Sequence, residues 1–377
     1  MTSSWYTTIK AVAAAVAIAA APCTAAKTTT TTVTTVTTTV DGDSTVTTTA
    51  TSTETTSGKQ YSFLPKVNGT FRGFYQWSTA TGHSRFIVRN ARLSLSGAVL
   101  PKLDYYLQVD FCDAGSIRLL DTYARVKPAK GAAVMLGQMR VPFSAAATRA
   151  PRDYYFADVE LTAVFGNLRS VGVKGSYTIP GSFPLYIEGG VFNATDRSNH
   201  NVWQSALTYG VKTNVRLGGF RPEVAFMSRV PGARDKAVRI NMLNASLSWS
   251  CGGFFAEGEY IMRHYTGHSF DTSHAYSVFA SWRWPVTLPM ADALSAQLRF
   301  DGLTDASTGV LNTDRTLDND IAGRRRLTVG ATAHYSYRGV GAKFMLNFEQ
   351  YFYNDHRNIN ISAADNSKLV AGLVVWF

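Results

Sequence analysis

The stretch SKLVAGLVVWF, residues 367–377, decides the fold. Leu369, Ala371, Leu373, Val375 and Phe377 share one parity. Side chains alternate faces along a strand, so these five make one continuous apolar stripe. Such a stripe must be covered, either by a protein core or by lipid.

The same texture runs back to residue 61 without a second linker and without helical periodicity. Sixteen period-two segments recur, separated by turn residues: 67–78, 85–98, 102–112, 118–127, 132–140, 170–179, 184–193, 203–217, 219–229, 237–249, 253–264, 273–284, 292–301, 325–337, 340–353 and 367–377. Their lengths suit transmembrane strands of about 9 to 11 residues. In one, Leu294, Ala296, Leu298 and Phe300 oppose Ser295, Gln297, Arg299 and Asp301. In another, Val340, Ala342, Phe344, Leu346 and Phe348 oppose Lys343, Asn347 and Glu349. The apolar faces carry no charge; a Lys or Arg at mid-bilayer on the lipid face costs roughly 2–4 kcal/mol. Between Ile240 and Leu243 the parity slips, which predicts a bulge or a misplaced boundary.

A soluble β-sandwich also alternates buried and wet faces. Two features favour lipid. Trp77, Trp249, Trp282, Trp284, Tyr335 and Tyr337 lie near segment ends, where interfacial aromatic girdles belong. Short connectors (100–102, 338–339) also alternate with long ones (141–169, 302–324, 354–366), as in outer-membrane barrels. The fold class is therefore all-β, a transmembrane antiparallel β-barrel of sixteen strands.

The first 26 residues read as an export signal. Lys10 precedes the apolar run AVAAAVAIAAA (11–21), and small residues suit cleavage after Ala25 or Ala26. Pro22 argues against lipidation at Cys23. After the signal no apolar run reaches the length of a membrane helix. Residues 27–60 are rich in threonine and hold no large apolar groups, so they read as a low-complexity periplasmic spacer. Residues 61–377 are the barrel domain. Cys112 and Cys251 fall at opposite ends of it, which predicts no disulfide between them.

Several pieces resemble one known family in order and spacing: RNARLSLSG (89–97), YYLQVDF (105–111), LLDTYARV (119–126), LGQMRVPFS (136–144), RSVGVKG (169–175) and LYIEGGVFN (185–193). They are similar to the phosphate-selective porins O and P. The resemblance is clearest over residues 67–193, and GQMRVPF is its most specific piece. It implies an outer-membrane barrel, usually trimeric, that passes anions such as phosphate. It also implies that the last aromatic strand, ending at Phe377, is the assembly signal read by the barrel-insertion machinery. The family usually has Arg-Asp where this chain has Arg169-Ser170, so the arginine lacks its expected acidic partner.

A barrel of this size leaves an aqueous lumen, and the charges lining it set selectivity. The chain carries a formal charge of +11. Setting aside Lys10, Lys27 and Lys59 and also Asp41, Asp43 and Glu54, residues 61–377 carry 34 basic and 23 acidic side chains. Parity assigns Arg92, Arg125, Arg140, Lys174, Lys212, Arg216, Arg299 and Lys343 to the lumen. Each can instead pair with Asp104, Asp110, Glu188, Glu257, Glu259 or Glu349 and merely support the wall. The connector 141–169 sits where porins fold a loop into the pore. Its Arg149 and Arg152, together with Arg140, are the expected anion constriction.

Other clusters are weaker. His264, His268 and His274 flank Asp271 and could hold a transition metal, but they read better as a solvated external loop. Arg324–Arg326 could hold lipopolysaccharide phosphates. No serine-nucleophile elbow, P-loop or dinucleotide fingerprint is present. The reading is a passive anion-preferring porin, not an enzyme, with no cofactor, no metal and no nucleic-acid partner. Its partners would be outer-membrane lipid and lipopolysaccharide, the insertion machinery, small anions and two further copies in a homotrimer. The alternatives are a general non-selective porin, an envelope-anchoring barrel tethered by residues 27–60, and an outer-membrane hydrolase.

Overall fold

The computed structural model describes residues 32–41, 44–53, 64–113, 115–194, 203, 205–232, 236–267, 270–354 and 365–377. The export signal expected over residues 1–26 lies outside them. Within the threonine-rich segment, β1 (Thr32–Asp41) and β2 (Ser44–Thr53) pair antiparallel from Thr32↔Thr53 to Asp41↔Ser44. This hairpin stands where the composition suggests a spacer. Its threonines and valines are β-branched, and that branching favours extended backbone even without a core. Hairpin and barrel are separate compact units.

The barrel is closed and antiparallel, and its sixteen strands fall on the sixteen period-two segments. They are β3 (Lys66–Ser78), β4 (Ser84–Leu100), β5 (Leu103–Asp113), β6 (Ser116–Val126), β7 (Ala132–Arg140), β8 (Arg169–Ile179), β9 (Leu185–Asn193), β10 (Leu207–Val215), β11 (Phe220–Arg229), β12 (Ile240–Cys251), β13 (Phe254–Tyr265), β14 (Ser273–Leu288), β15 (Ala291–Leu303), β16 (Arg324–Tyr337), β17 (Val340–Tyr353) and β18 (Lys368–Trp376). No helix among the described residues is long and apolar enough to cross a membrane.

Connector length separates the two ends. Turns such as 252–253, 289–290 and 338–339 join strands at one end; 141–168, 194–206, 304–323 and 354–367 lie at the other. In the 338–339 turn both residues have positive φ, Arg338 at 47° and Gly339 at 90°. That is the primed geometry whose twist matches a two-residue hairpin. Cys112 and Cys251 are both free and sit at opposite ends.

Closure depends on the pairing of β18 with β3, from Lys368↔Ser78 to Trp376↔Thr70. Two reciprocal backbone bonds extend it, Phe377 N–H to the Gly69 oxygen (3.2 Å) and Gly69 N–H to the Phe377 oxygen (3.1 Å). The faces behave as the alternation predicts. Leu373 is 43% and Phe377 56% exposed outward, while Val370 and Val374 are fully buried inward. The Phe377 ring lies over Gly69 so closely that a Cβ there would collide with it.

Two departures from simple alternation shape the interior. The β3–β4 register shifts between Arg72↔Asn90 and Gly73↔Val88. Arg89 is thus the extra residue of a bulge, and outward parity changes from Phe86 and Val88 above it to Leu93 and Leu95 below. The slip expected near Ile240 has a different cause. The β11–β12 register runs unbroken from Arg229↔Ile240 to Phe220↔Trp249. β12 simply begins at Ile240, and Ile240 and Met242 point inward, fully buried, while Leu243 faces out.

The seam yields a prediction. Gly69→Val should lower the fraction of full-length chain that assembles as heat-modifiable barrel several-fold, because the new side chain displaces the Phe377 ring. Conductance per assembled pore should stay unchanged, as single-channel recording would show.

Candidate functional site

The connector 141–168 is folded against the inner wall of the barrel. Its short helices α1 (Ala145–Thr148) and α2 (Ala163–Gly166) flank a stretch that includes Tyr154, Tyr155 and Phe156. Loops carry backbone groups that need partners when buried, and here the strands supply them. The Ala145 N–H donates to Glu259 (2.8 Å), the Ala157 N–H to Asn347 (2.7 Å) and the Leu161 N–H to Asp301 (2.8 Å). In return Arg299 donates to the Asp158 carbonyl (2.8 Å), Arg326 to that of Val159 (2.6 Å) and Lys343 to that of Arg152 (2.6 Å). Arg72 reaches the Ala157 carbonyl. These anchors come from β3, β13, β15, β16 and β17, so the loop is tied along one arc of the wall.

Apolar contacts reinforce the anchors. Phe143, Leu161 and Phe165 pack with inward Met227, Ile240, Met242 and Ile261. Ala157 packs with Phe74, Met345, Val370 and Val374. Tyr155 stacks on inward Phe255, ring centroids 5.0 Å apart, and on Phe279; burial pushes its hydroxyl up to about 12. The strand alternation marks an inner face as polar, yet these apolar residues interrupt it at the loop's seat. They are the signal in the sequence that could have located that seat.

The predicted cations divide into compensated and uncompensated groups. Arg92 pairs with Asp110 at 2.8 Å, and Arg125 grips Asp104 with two bonds of 2.8 Å. Lys174 and Lys212 share Glu188 at 3.2 and 3.3 Å, and Lys212 also approaches Glu223 at 3.7 Å. Arg299 is fully buried beside Asp301 (3.5 Å) with its guanidinium 4.4 Å from the Phe156 ring. Arg149 lies between Glu160 (2.7 Å) and Glu257 (2.5 Å). Burial alone would lower its guanidinium, but the two carboxylates outweigh burial and hold it well above its usual value. Arg149 is thus a strut joining the loop to β13, with its charge neutralised. Arg216 is a correction: β10 ends at Val215, and Arg216 sits exposed in the 216–219 turn, outside the barrel wall.

Arg140, Arg152 and Lys343 differ. Among the described residues the Arg140 side chain makes no ion pair or hydrogen bond, and it lines a cavity of about 270 Å³ together with Arg89, Tyr154 and Arg326 and the carboxylates Asp158 and Glu160. Lys343 meets backbone carbonyls and the Trp376 ring, 5.5 Å away, but no carboxylate. Arg152 is half exposed, its nearest carboxylate being its neighbour Asp153 at 3.7 Å. Among the described residues these inward carboxylates, by contrast, are engaged: Asp104, Asp110, Asp121, Glu188, Glu223, Glu257, Asp301 and Glu349 in ion pairs, Glu259 by three donors.

Arg169 does have an acidic partner, supplied from β6 in place of the adjacent position: it bonds both oxygens of Asp121, at 3.0 and 3.2 Å. The histidine cluster does not assemble as a metal site. His264 and His274 lie on adjacent strands, His268 is outside the described residues, and no group of three or more metal-binding side chains occurs among those described.

Asp158 carries a pH prediction. Burial would raise its carboxyl, but Lys368 at 2.6 Å, Arg89 and Arg326 pull it well below the usual carboxylate range. A depressed native pKa contributes stability that is full above the unfolded value of about 3.9 and is lost as pH falls through the native one. Thermal stability should therefore be flat from pH 7 to about pH 4 on account of this group, then fall. Asp158→Asn should flatten that acid-side fall while lowering stability at pH 7, as thermal melts across pH would show.

Residues 66–158 match the model of the phosphate-selective porin O and P family. The barrel superposes on an anion-selective porin from Comamonas acidovorans with TM-score 0.56 and 13% identity, over 83% of this chain and 99% of that one. Salmonella typhi OmpF, in complex with daunomycin, gives 0.55 and 13%, over 83% and 97%. A loop-deletion OmpT of Vibrio cholerae gives 0.53 and 12%, over 83% and 98%. At such identities the likeness is one of fold. No curated protein matches the chain in sequence.

Proposed function

We propose that this porin-fold chain is an outer-membrane channel for small anions, phosphate among them, constricted by the 141–168 loop. One observation carries the proposal: the described carboxylates facing the lumen are engaged, whereas Arg140 and Lys343 have no carboxylate within ion-pair distance among the described residues and Arg152 has only its exposed neighbour Asp153, at 3.7 Å. The unbalanced field inside the barrel is therefore positive. Weak, spaced cations draw anions in without trapping them. Arg140 and Arg152 offer planar forks suited to phosphate or carboxylate, and Lys343 a point charge. Arg92, Arg125, Lys174, Lys212 and Arg299 then shape the wall, and Arg149 braces the loop.

The family match over residues 66–158 and the anion-selective neighbour support this reading. Export through a cleaved signal over residues 1–26, assembly as a homotrimer, contact with lipopolysaccharide and recognition of Phe377 by the barrel-insertion machinery belong to the same proposal. Each uncompensated cation should act on selectivity. A unit charge about 4 Å from a hydrated ion is worth about 1 kcal/mol in water. Changing Arg140, Arg152 and Lys343 to Gln in turn should thus lower the anion-to-cation permeability ratio by about two- to fivefold each. Arg149→Gln should instead increase current noise, since it loosens the loop and frees two carboxylates. Planar-bilayer recordings in a potassium chloride gradient would read both effects. An unchanged ratio in the triple variant would favour a general diffusion porin.

A further inference from the structure

The three arginines Arg324, Arg325 and Arg326 have three different surroundings. Arg324 pairs with Asp365 at 2.9 Å, and Arg326 is buried in the barrel against Asp301 and Glu349. Arg325 has the opposite parity and stands exposed on the outer wall, in register with Gly302 and Phe352. The barrel's lumen does not use it.

Arg325 has counterparts at the same end. His264 alternates with buried Arg263 and faces out opposite Asn241. His274 alternates with buried Ala275, and its ring nitrogen lies 2.7 Å from the hydroxyl of outward Tyr260. Arg239 donates to Ser228 at 2.9 Å and lies 6.0 Å from the ring of outward Tyr209. None of Arg239, His264, His274 and Arg325 makes an ion pair among the described residues. Strands β12 to β16 are neighbours, so at about 4.8 Å per strand this rim spans about 20 Å.

From this end the outward side chains run His264 then Tyr260 along β13, His274, Tyr276 and Val278 along β14, and Tyr209 then Val211 along β10. That sequence matches the layers of one membrane leaflet: charged headgroup, interface, hydrocarbon. An arginine held at that level with no carboxylate beside it faces whatever anion the leaflet supplies. The other flank differs. The exposed side chains toward the same end of β3–β6 include the apolar Trp77, Phe86, Phe111 and Leu119, with Phe86 84% exposed, beside Arg85 and Arg89, the latter paired with Asp158.

We propose that the outer rim of β12–β16, centred on Arg239 and Arg325 with His264, His274 and Asn241 between, binds phosphate groups on lipid headgroups of the facing leaflet. The ligand class is a phosphorylated glycolipid or phospholipid headgroup, held by the arginine forks while its acyl chains lie on the apolar band below. This rests on the barrel being membrane-embedded but not on anion permeation, which the experiment does not read.

The test uses the folded full-length chain in phosphatidylcholine nanodiscs containing diphosphoryl lipid A, with EDTA present to remove divalent bridges. Lipid retained per barrel is measured by native mass spectrometry. Two arginines near an anionic surface contribute about 1 kcal/mol each. The double variant Arg239→Gln/Arg325→Gln should therefore bind lipid A about tenfold more weakly or worse, with unchanged heat-modifiable mobility. Arg239→Lys/Arg325→Lys should stay within about threefold of wild type, because point charges still attract the phosphates. Dephosphorylated lipid A should bind no better than phosphatidylcholine, and free inorganic phosphate should not compete. Full-strength binding by the Gln variant, equal binding of dephosphorylated lipid A, or displacement by inorganic phosphate would each overturn the proposal, the last assigning the rim to a soluble ion.

Discussion

A backbone amide inside hydrocarbon has no water to bond, so each N–H and C=O of a spanning strand must find a partner in the protein. For strands this means a closed barrel, and closure here falls on the pairing of β18 with β3. The side chains follow from that. Outward residues must be apolar through the middle of the wall, and inward residues are free to be polar. The Phe377 ring rests on Gly69 at the end of this seam, where any added side chain would have to displace it.

Closing the barrel creates an interior that a soluble protein would fill with core. Here the 141–168 loop occupies part of it, held by hydrogen bonds from β13, β15 and β17. The buried charges on the wall serve this arrangement. Asp301, Glu349, Arg326, Arg299 and Lys368 form one connected group that also reaches loop residues Asp158 and Val159. Breaking one partner of a buried pair costs about 3–5 kcal/mol, because it leaves an uncompensated charge behind. Such groups hold the loop in one position and leave little net charge of their own. On the proposed reading, selectivity falls to the cations outside this network, Arg140, Arg152 and Lys343, rather than to the larger count of inward basic residues.

The strands were legible because period-two patterning is strong when one face meets lipid: sixteen segments correspond to sixteen strands. The interior was less so. Ile240, Met242, Phe255 and Ile261 look like exceptions on a polar face, and only the loop packed on them explains their chemistry. Arg89 breaks the alternation of β4 because it is a bulge, which shows in the register and has no marker in the residue itself. Which cations are neutralised was not legible either. Arg149 and Arg152 look alike in sequence, yet one is clamped by Glu160 and Glu257, residues 11 and 108 positions away, and the other is half exposed. Arg169 on β8 reaches Asp121 on β6 across the intervening strand β7, a partner that no adjacent position reveals. In the threonine-rich segment β-branched backbone preference forms a hairpin that composition, which measures core-forming capacity, does not favour.

The central claim is that the lumen's uncompensated charge is positive at the loop. The most direct measurement is the zero-current potential of single wild-type channels across a tenfold potassium chloride gradient, repeated with potassium phosphate. The account predicts a potential of the sign set by anion flux in both salts. A potential near zero, or one of the sign set by potassium, would contradict it.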